Sequence, residues 1–286
     1  MMNNIKNIDK SISKAIKDRS SIRSYCNKEI EENNILKIKK YINELEGPFK
    51  EQVRFKWLNS KEDIKRGKFG TYGVIKGAEN YIGVSYKKGD MALEELGYEM
   101  EKLILYITSL GLGTCWIGGT FKKSKFAKAM ELEEDEFLPI ITPIGYPSEK
   151  RSFIDSTMRF IAKSKQRKEW SDIFFLKDFS VPLTQYNNLG KFKEVLENVR
   201  IAPSALNKQP WRIVKSGSDF HFYIHSDKAV PDGLEFNIHK IDMGIAMCHF
   251  DLSCKELGIQ GEFRKCDPKI NNVPRNTEYV ITWSQK

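Results

Sequence analysis

Apolar positions in the first half of the chain switch between helical and strand spacing in a definite order. A helix starts over Ser11–Lys17. Ile30, Ile35, Leu36, Ile38, Ile42 and Leu45 then predict an amphipathic helix over Glu29–Leu45, ended by Gly47-Pro48. Val53–Leu58 alternates like a strand, and Tyr81–Tyr86 (YIGVSY) reads as a second one. Asp90–Leu110 is a long helical stretch whose Leu96, Met100, Leu103, Ile104, Ile107 and Leu110 form a broad buried face. A short helix near Lys123–Met130 and a buried strand over Leu138–Tyr146 complete the half, which leaves through Gly145 and Pro147.

The second half replays this order. Lys191–Val199 is amphipathic through Phe192, Val195, Leu196 and Val199, and Pro203 helps to end it. Trp211 opens an apolar strand-like run, and Phe220–His225 (FHFYIH) is the counterpart of YIGVSY. Offset by 147 residues, Gly97, Met100, Leu105, Leu110 and Gly111 fall on Gly244, Met247, Leu252, Leu257 and Gly258. Glu95 then matches Asp242 and Leu112 matches Ile259, while Ile140–Thr142 has its later mate in Val280–Thr282. The repeated element order predicts a diverged internal duplication. Its halves are residues 1–160 and 161–286, joined through the polar, basic stretch Ser148–Trp170.

Composition narrows the function classes. A chain of 286 residues, 40% of them hydrophobic, can bury a substantial core. The net charge of +9 invites a nucleic-acid reading, but the basic residues are spread out beside acids, as in Lys61-Glu62-Asp63 and Glu149-Lys150-Arg151. Without a zinc-finger, RNP or helix-turn-helix signature, a solvated lysine-rich surface is the better reading, and it would also suit a small anionic ligand. The five cysteines lack C-x-x-C pairing and metal-ligand spacing with the four histidines, which fits a reducing compartment and no metal. MMNNIKNIDK lacks a signal-peptide apolar run, and no stretch approaches the ~20 apolar residues of a membrane span. The expectation is a cytoplasmic protein without membrane or nucleic-acid partners.

Three stretches carry candidate chemistry. Arg200–Val214 contains P-S-A-L-N-K-Q-P-W, rich in short polar side chains that hydrogen-bond ligands, although turn chemistry between a helix and a strand would also explain it. Arg19-Ser20-Ser21-Ile22-Arg23 is a compact donor cluster suited to phosphate oxygens, or a basic turn pairing with carboxylates. Two glycine-rich loops, Lys68–Gly77 around Gly73 and Gly111–Thr120, would let backbone approach a flat ligand but match no dinucleotide or P-loop pattern. The arginine cluster and the GLGTCWIGG loop occur only in the first half. P-S-A-L-N-K-Q-P-W occurs only in the second, where the first half has G-P-F-K-E-Q. Complementary losses point to one retained composite site. Trp116 and Trp211 read as core rather than stacking platforms.

These motifs resemble the FMN-dependent nitroreductase family. Arg19–Arg23 is similar to its N-terminal R-R-S-x-R signature, with Ser20 at the second arginine, and Pro203–Trp211 closely resembles its P-S-x-x-N-x-Q-P-W motif. Gly111–Gly119 resembles its loop against the flavin ring, and Lys165-Gln166-Arg167 its basic K-x-R element. The resemblance implies an α+β sandwich, duplicated here as an intramolecular pseudo-dimer that holds one FMN. It further implies that Arg19, Ser21, Lys165 and Arg167 hold the phosphate and ribityl side, with Arg23 near the N1–O2 edge. Pro203, Ser204, Ala205 and Asn207 would reach the cofactor from the other repeat. Backbone at Ile117, Gly118 and Gly119 would reach N5, with Gly73 beside the ring. NADH or NADPH would reduce the flavin, which would pass electrons to a nitroaromatic, quinone or related small-molecule acceptor. No side chain is assigned as general acid or base. Flavin storage or sensing without turnover is the alternative.

Overall fold

The computed structural model describes residues 11–61, 69–149, 166–226 and 236–286. The first half contains α1 (Ile12–Asp18), α2 (Glu32–Asn43), β1 (Val53–Asn59), β2 (Asn80–Lys87), α3 (Ala92–Ser109), β3 (Gly113–Thr114), α4 (Lys123–Met130) and β4 (Glu136–Gly145). After it come α5 (Trp170–Ile173), β5 (Phe174–Leu176), α6 (Phe192–Arg200), a 3₁₀ turn (Ala205–Asn207), β6 (Trp211–Ser216), β7 (Asp219–His225), α7 (Ile238–Glu256), β8 (Gly261–Arg264) and β9 (Thr277–Gln285). Ser11 caps α1 by accepting from the Lys14 amide. The helix expected from Glu29 begins at Glu32, because Glu31 is still extended (ψ 134°) and Ile30 is buried ahead of the first turn. The two-residue β3, the short β5 and β8, and the one-turn α5 carry too few residues to show a period, and sequence spacing did not mark them.

The duplication is visible in the strand order. One sheet runs β1-β2-β4-β3, and the other runs β5-β6-β7-β9-β8. Without β5, which adds parallel to β6, the two orders are the same under the substitution β1→β6, β2→β7, β3→β8, β4→β9. Registers bring apolar residues opposite one another: Phe55 faces Val84 and Val84 faces Ile140, as Ile213 faces Phe222 and Phe222 faces Ile281. Strand β4 tolerates two prolines despite its central place. Pro139 lies at the bulge opposite Ser85, and Pro143 falls between the Thr114–Ile144 and Ile117–Ile141 pairs.

Helices α3 and α7 lie against each other between the sheets and make the most extensive contact of any two elements. Their closest approach is at Gly97 and Gly244. A Cβ on Gly97 would sit 2.1 Å from the Ile241 carbonyl, and one on Gly244 would sit 2.0 Å from the Glu94 carbonyl. Glu94 and Ile241 are also related by the offset of 147, so the crossing is self-complementary, as at a two-fold axis. The chain is an α+β pseudo-dimer folded on itself. All five cysteines are free, and no described helix is long and apolar enough to cross a membrane.

Candidate functional site

The Arg19–Tyr25 segment leaves α1 in an extended course. Arg19 caps the helix through its amide on the Ala15 carbonyl (2.9 Å). Ile22 N donates to Thr114 O (2.8 Å), Lys76 N to Arg23 O (2.9 Å) and Tyr25 N to Lys76 O (2.9 Å). These bonds seat Ser20, Ser21 and Arg23 between β3 and the loop that contains Gly73, whose turn is closed by Val74 N on Thr71 O (2.9 Å). Ser20 and Gly73 are exposed, and Ser21 and Arg23 half-buried.

The loop beyond β3 is pinned to β4 by paired Ile117 and Ile141 amides and carbonyls (3.1 and 3.0 Å). Ile117 is buried, Gly118 partly open and Gly119 exposed. A Cβ on Gly118 would come within 3.3 Å of Ile238 Cδ1, the first residue of α7. Trp116 donates through Nε1 to Glu101 Oε2 (2.9 Å), whereas Trp211 is fully buried.

The second repeat supplies the Pro203–Gln209 turn to the same end of α7. Asp242 Oδ1, in the first turns of α7, accepts from Ala205 N (2.8 Å), and Oδ2 lies 3.0 Å from His239 Nδ1. Burial pushes the Asp242 carboxyl above its ordinary range, against those two hydrogen bonds. Ser204 Oγ accepts from Gln209 N (2.9 Å), and Gln209 Oε1 accepts from Lys168 N (2.9 Å). Leu206, Asn207 and Gln209 all have left-handed backbone (φ 49°, 56° and 48°), strain that such side chains adopt only when the surroundings impose it. Leu206 is 68% exposed, so packing of its side chain does not provide that compensation.

Arg167 ties the pieces together. Its Nη1 donates to Asn207 Oδ1 (3.1 Å) and its Nη2 to Ile201 O (3.1 Å), while Asn207 Nδ2 donates to Gln166 O (2.8 Å). Burial and then the positive charges of Arg19 and Arg200 push Arg167 down to about 10. The Arg19 side chain is 9% exposed, and its Nε has no hydrogen-bond acceptor among the described residues, with Glu101 Oε1 3.8 Å away. Three guanidinium groups from both sides of the repeat boundary therefore share one electrostatic neighbourhood, an arrangement that favours an anion. Lys165 lies outside the described residues.

Of the residues singled out from sequence, Arg19 is brought near Arg167, Arg167 onto Asn207, and both Gly118 and Ala205 to the start of α7. Glu101, Asp242, His249 and Arg200 escaped that reading. Asp242 had a signal, since it is the repeat mate of Glu95.

The family model described as "Putative TM nitroreductase" matches residues 11–254. The chain belongs to this nitroreductase family. A putative nitroreductase from Thermotoga maritima MSB8 is 22% identical, with 96% of this chain and 93% of that one covered and a TM-score of 0.60, so the fold is shared along nearly the whole length. A nitroreductase with bound FMN from Bacteroides fragilis NCTC 9343 is 22% identical, with 50% of this chain and 92% of that one covered (TM-score 0.41). A nitroreductase family protein from Clostridium novyi NT is 21% identical, with 51% and 91% covered (TM-score 0.41). No curated protein matches the chain. Family membership supports an oxidoreductase.

Proposed function

We propose that the protein is an FMN-dependent oxidoreductase that takes reducing equivalents from NADH or NADPH and delivers them to a nitroaromatic, a quinone or a related small acceptor. The observation that carries this reading is the convergence of Arg19, Arg167 and Arg200 with the strained Ser204–Gln209 turn, beside Gly118 at the start of α7. The residues fit a phosphate-bearing flavin, because the buried Arg19 Nε lacks an acceptor that an anionic oxygen would supply. When bound, the isoalloxazine would supply the hydride and electron transfer chemistry.

The chain's own groups bind and orient. Arg19, Ser21 and Arg167, with Lys165, would hold the phosphate and ribityl portion, Ser20 standing at the rim. Arg23 would stabilise negative charge at the N1–O2 edge. Pro203, Ser204, Ala205 and Asn207 would shape and hydrogen-bond the side facing the second repeat, and Asp242 would fix that turn through the Ala205 amide. Ile117, Gly118 and Gly119 would offer backbone donors, with Gly73 against the ring. No side chain is needed as a general acid or base.

One FMN per chain follows from the fate of the matching loop. In the first repeat both Glu95 carboxylate oxygens are taken up by the Phe49 and Lys50 amides (2.9 and 3.0 Å), and Glu99 Oε1 by the Gly47 amide (2.9 Å). A Cβ at Gly47 would already lie 2.5 Å from the Glu95 carboxyl carbon, so that loop is sealed where the second repeat's is open to Arg167. A division near residue 160 is supported by the strands of one sheet ending at Gly145 and those of the other starting at Phe174. The test is flavin released per chain on denaturation, followed by stopped-flow reduction with NADH and NADPH. One FMN reduced by either donor is expected. A ratio near two would refute the sealed loop, a ratio near zero the cofactor, and a bound flavin that neither donor reduces would replace the enzyme by a flavin-binding protein.

A further inference from the structure

Behind Arg19, where α3 meets α7, Glu101 and His249 form a pair with no solvent exposure. His249 Nδ1 lies 2.8 Å from the Asn198 carbonyl oxygen, and its Nε2 lies 3.0 Å from Glu101 Oε1. A backbone carbonyl only accepts, so Nδ1 carries a hydrogen. An Nε2 lone pair facing a carboxylate lone pair at that distance would repel it, so a second proton lies between Nε2 and Oε1. Glu101 Oε2 accepts from Trp116 Nε1 (2.9 Å), and Arg19 Nε stands 3.8 Å from Oε1.

The pair spans the repeats: Glu101 belongs to α3, His249 to α7 and Asn198 to α6. Its charges have a consequence for Arg19. With the imidazolium and carboxylate cancelling, the guanidinium keeps its full charge and stays out of hydrogen-bond range of Glu101. Without the His249 proton, the buried carboxylate would have Arg19 as its nearest source of compensation, and an unpaired buried charge is costly enough to draw the arginine in.

We propose that Glu101 and His249 are positioning residues that share a proton, and that this proton keeps Arg19 available to the phosphate of an anionic cofactor. The inference rests on the flavin reading above. It assigns to the subunit-like interface a task beyond packing: one repeat's histidine sets the charge of the other repeat's arginine.

The test combines a spectrum with a rescue. In the intact protein, ring nitrogen-15 signals of His249 should report both nitrogens protonated. A bare Nε2 overturns the proposal whatever the protein binds. For the rescue, His249→Gln removes the ring charge and retains an amide donor. It should weaken FMN binding about tenfold to a hundredfold, the size of one charge-assisted contact, and leave riboflavin binding nearly unchanged. Glu101→Gln/His249→Gln removes both charges and should recover most of the FMN affinity. Equal losses for FMN and riboflavin, or a double variant as weak as the single one, would mean the pair only supports packing. Wild-type protein that binds FMN no more tightly than riboflavin would instead refute the phosphate assignment, while the ring spectrum still decides the proton.

Discussion

Replacing Glu99 by glutamine should make the protein more stable above neutral pH and leave it nearly unchanged in acid. Glu99 lies on α3, 6% exposed, and accepts the Gly47 amide at 2.9 Å. Burial first, and the neighbouring Glu95 charge second, raise its carboxyl from 4.5 to about 7. The folded state thus keeps a proton that the unfolded chain releases near 4.5. Stability from this group is greatest below 4.5, falls as pH rises towards 7 and is then flat. At about 1.4 kcal/mol per tenfold change, the displacement corresponds to about 3 kcal/mol by pH 8. A glutamine side chain would still accept from Gly47 through its amide oxygen but carries no charge, so Glu99→Gln should recover most of that amount. At roughly 2–4 °C per kcal/mol, the gain in melting temperature at pH 8 is about 5–10 °C. Other raised carboxyls, among them Glu94, Glu95 and Asp242, tilt both proteins in the same direction, so the readout is the difference between wild type and variant across pH 5 to 8. Parallel melting curves at every pH, or a variant less stable at pH 8, would refute the reasoning.

Three further outcomes are expected. Gly244→Ala puts a methyl carbon 2.0 Å from the Glu94 carbonyl and must push α3 and α7 apart, so a loss of about 1–3 kcal/mol in thermal or urea unfolding is expected despite alanine's better helix propensity. An unaffected midpoint would show that the crossing relaxes freely. Arg19→Ala should weaken FMN binding by about tenfold to a hundredfold relative to riboflavin in a fluorescence titration, and equal effects on both would make Arg19 structural. Arg23→Leu and Asn207→Leu, each poor in flavin binding, should stay so when unfolded together and refolded as a mixture, because every chain carries one defect. Recovered binding would mean that the site is built from two chains.

Much of this was legible from residue spacing, and the limits have physical reasons. Helix α4 and strands β1, β2 and β4 emerged within a residue or two because their apolar periods run the full length of the element. The offset paired Gly97 with Gly244 as mates of a duplication, but only the structure shows that both stand at the helix crossing, where neither copy has room for a side chain. Glu29–Glu31 was misplaced into α2 because Ile30 continues the apolar pattern while its backbone does not. Arg167 meeting Asn207 was beyond reach, as was His249 meeting Glu101 across 148 residues, since periodicity describes one element's own face and not its partner's. Neither Glu101, which sits among Glu99, Met100 and Lys102, nor His249 carried a signal of its own in the spacing.

The α3–α7 crossing also bears on how the chain is made. A protein of two identical subunits can finish one subunit before meeting the next, whereas here the partner surface is encoded 147 residues downstream on the same chain. While the ribosome is still translating the second half, Leu96, Met100, Leu103 and Ile107 lack the α7 share of their common core, which includes Ile241 and Ile245. The first half must wait, partly uncovered, until α7 ends at Glu256 and has cleared the exit tunnel. Once that helix arrives, assembly becomes a unimolecular closure whose yield no longer depends on how many copies the cell contains.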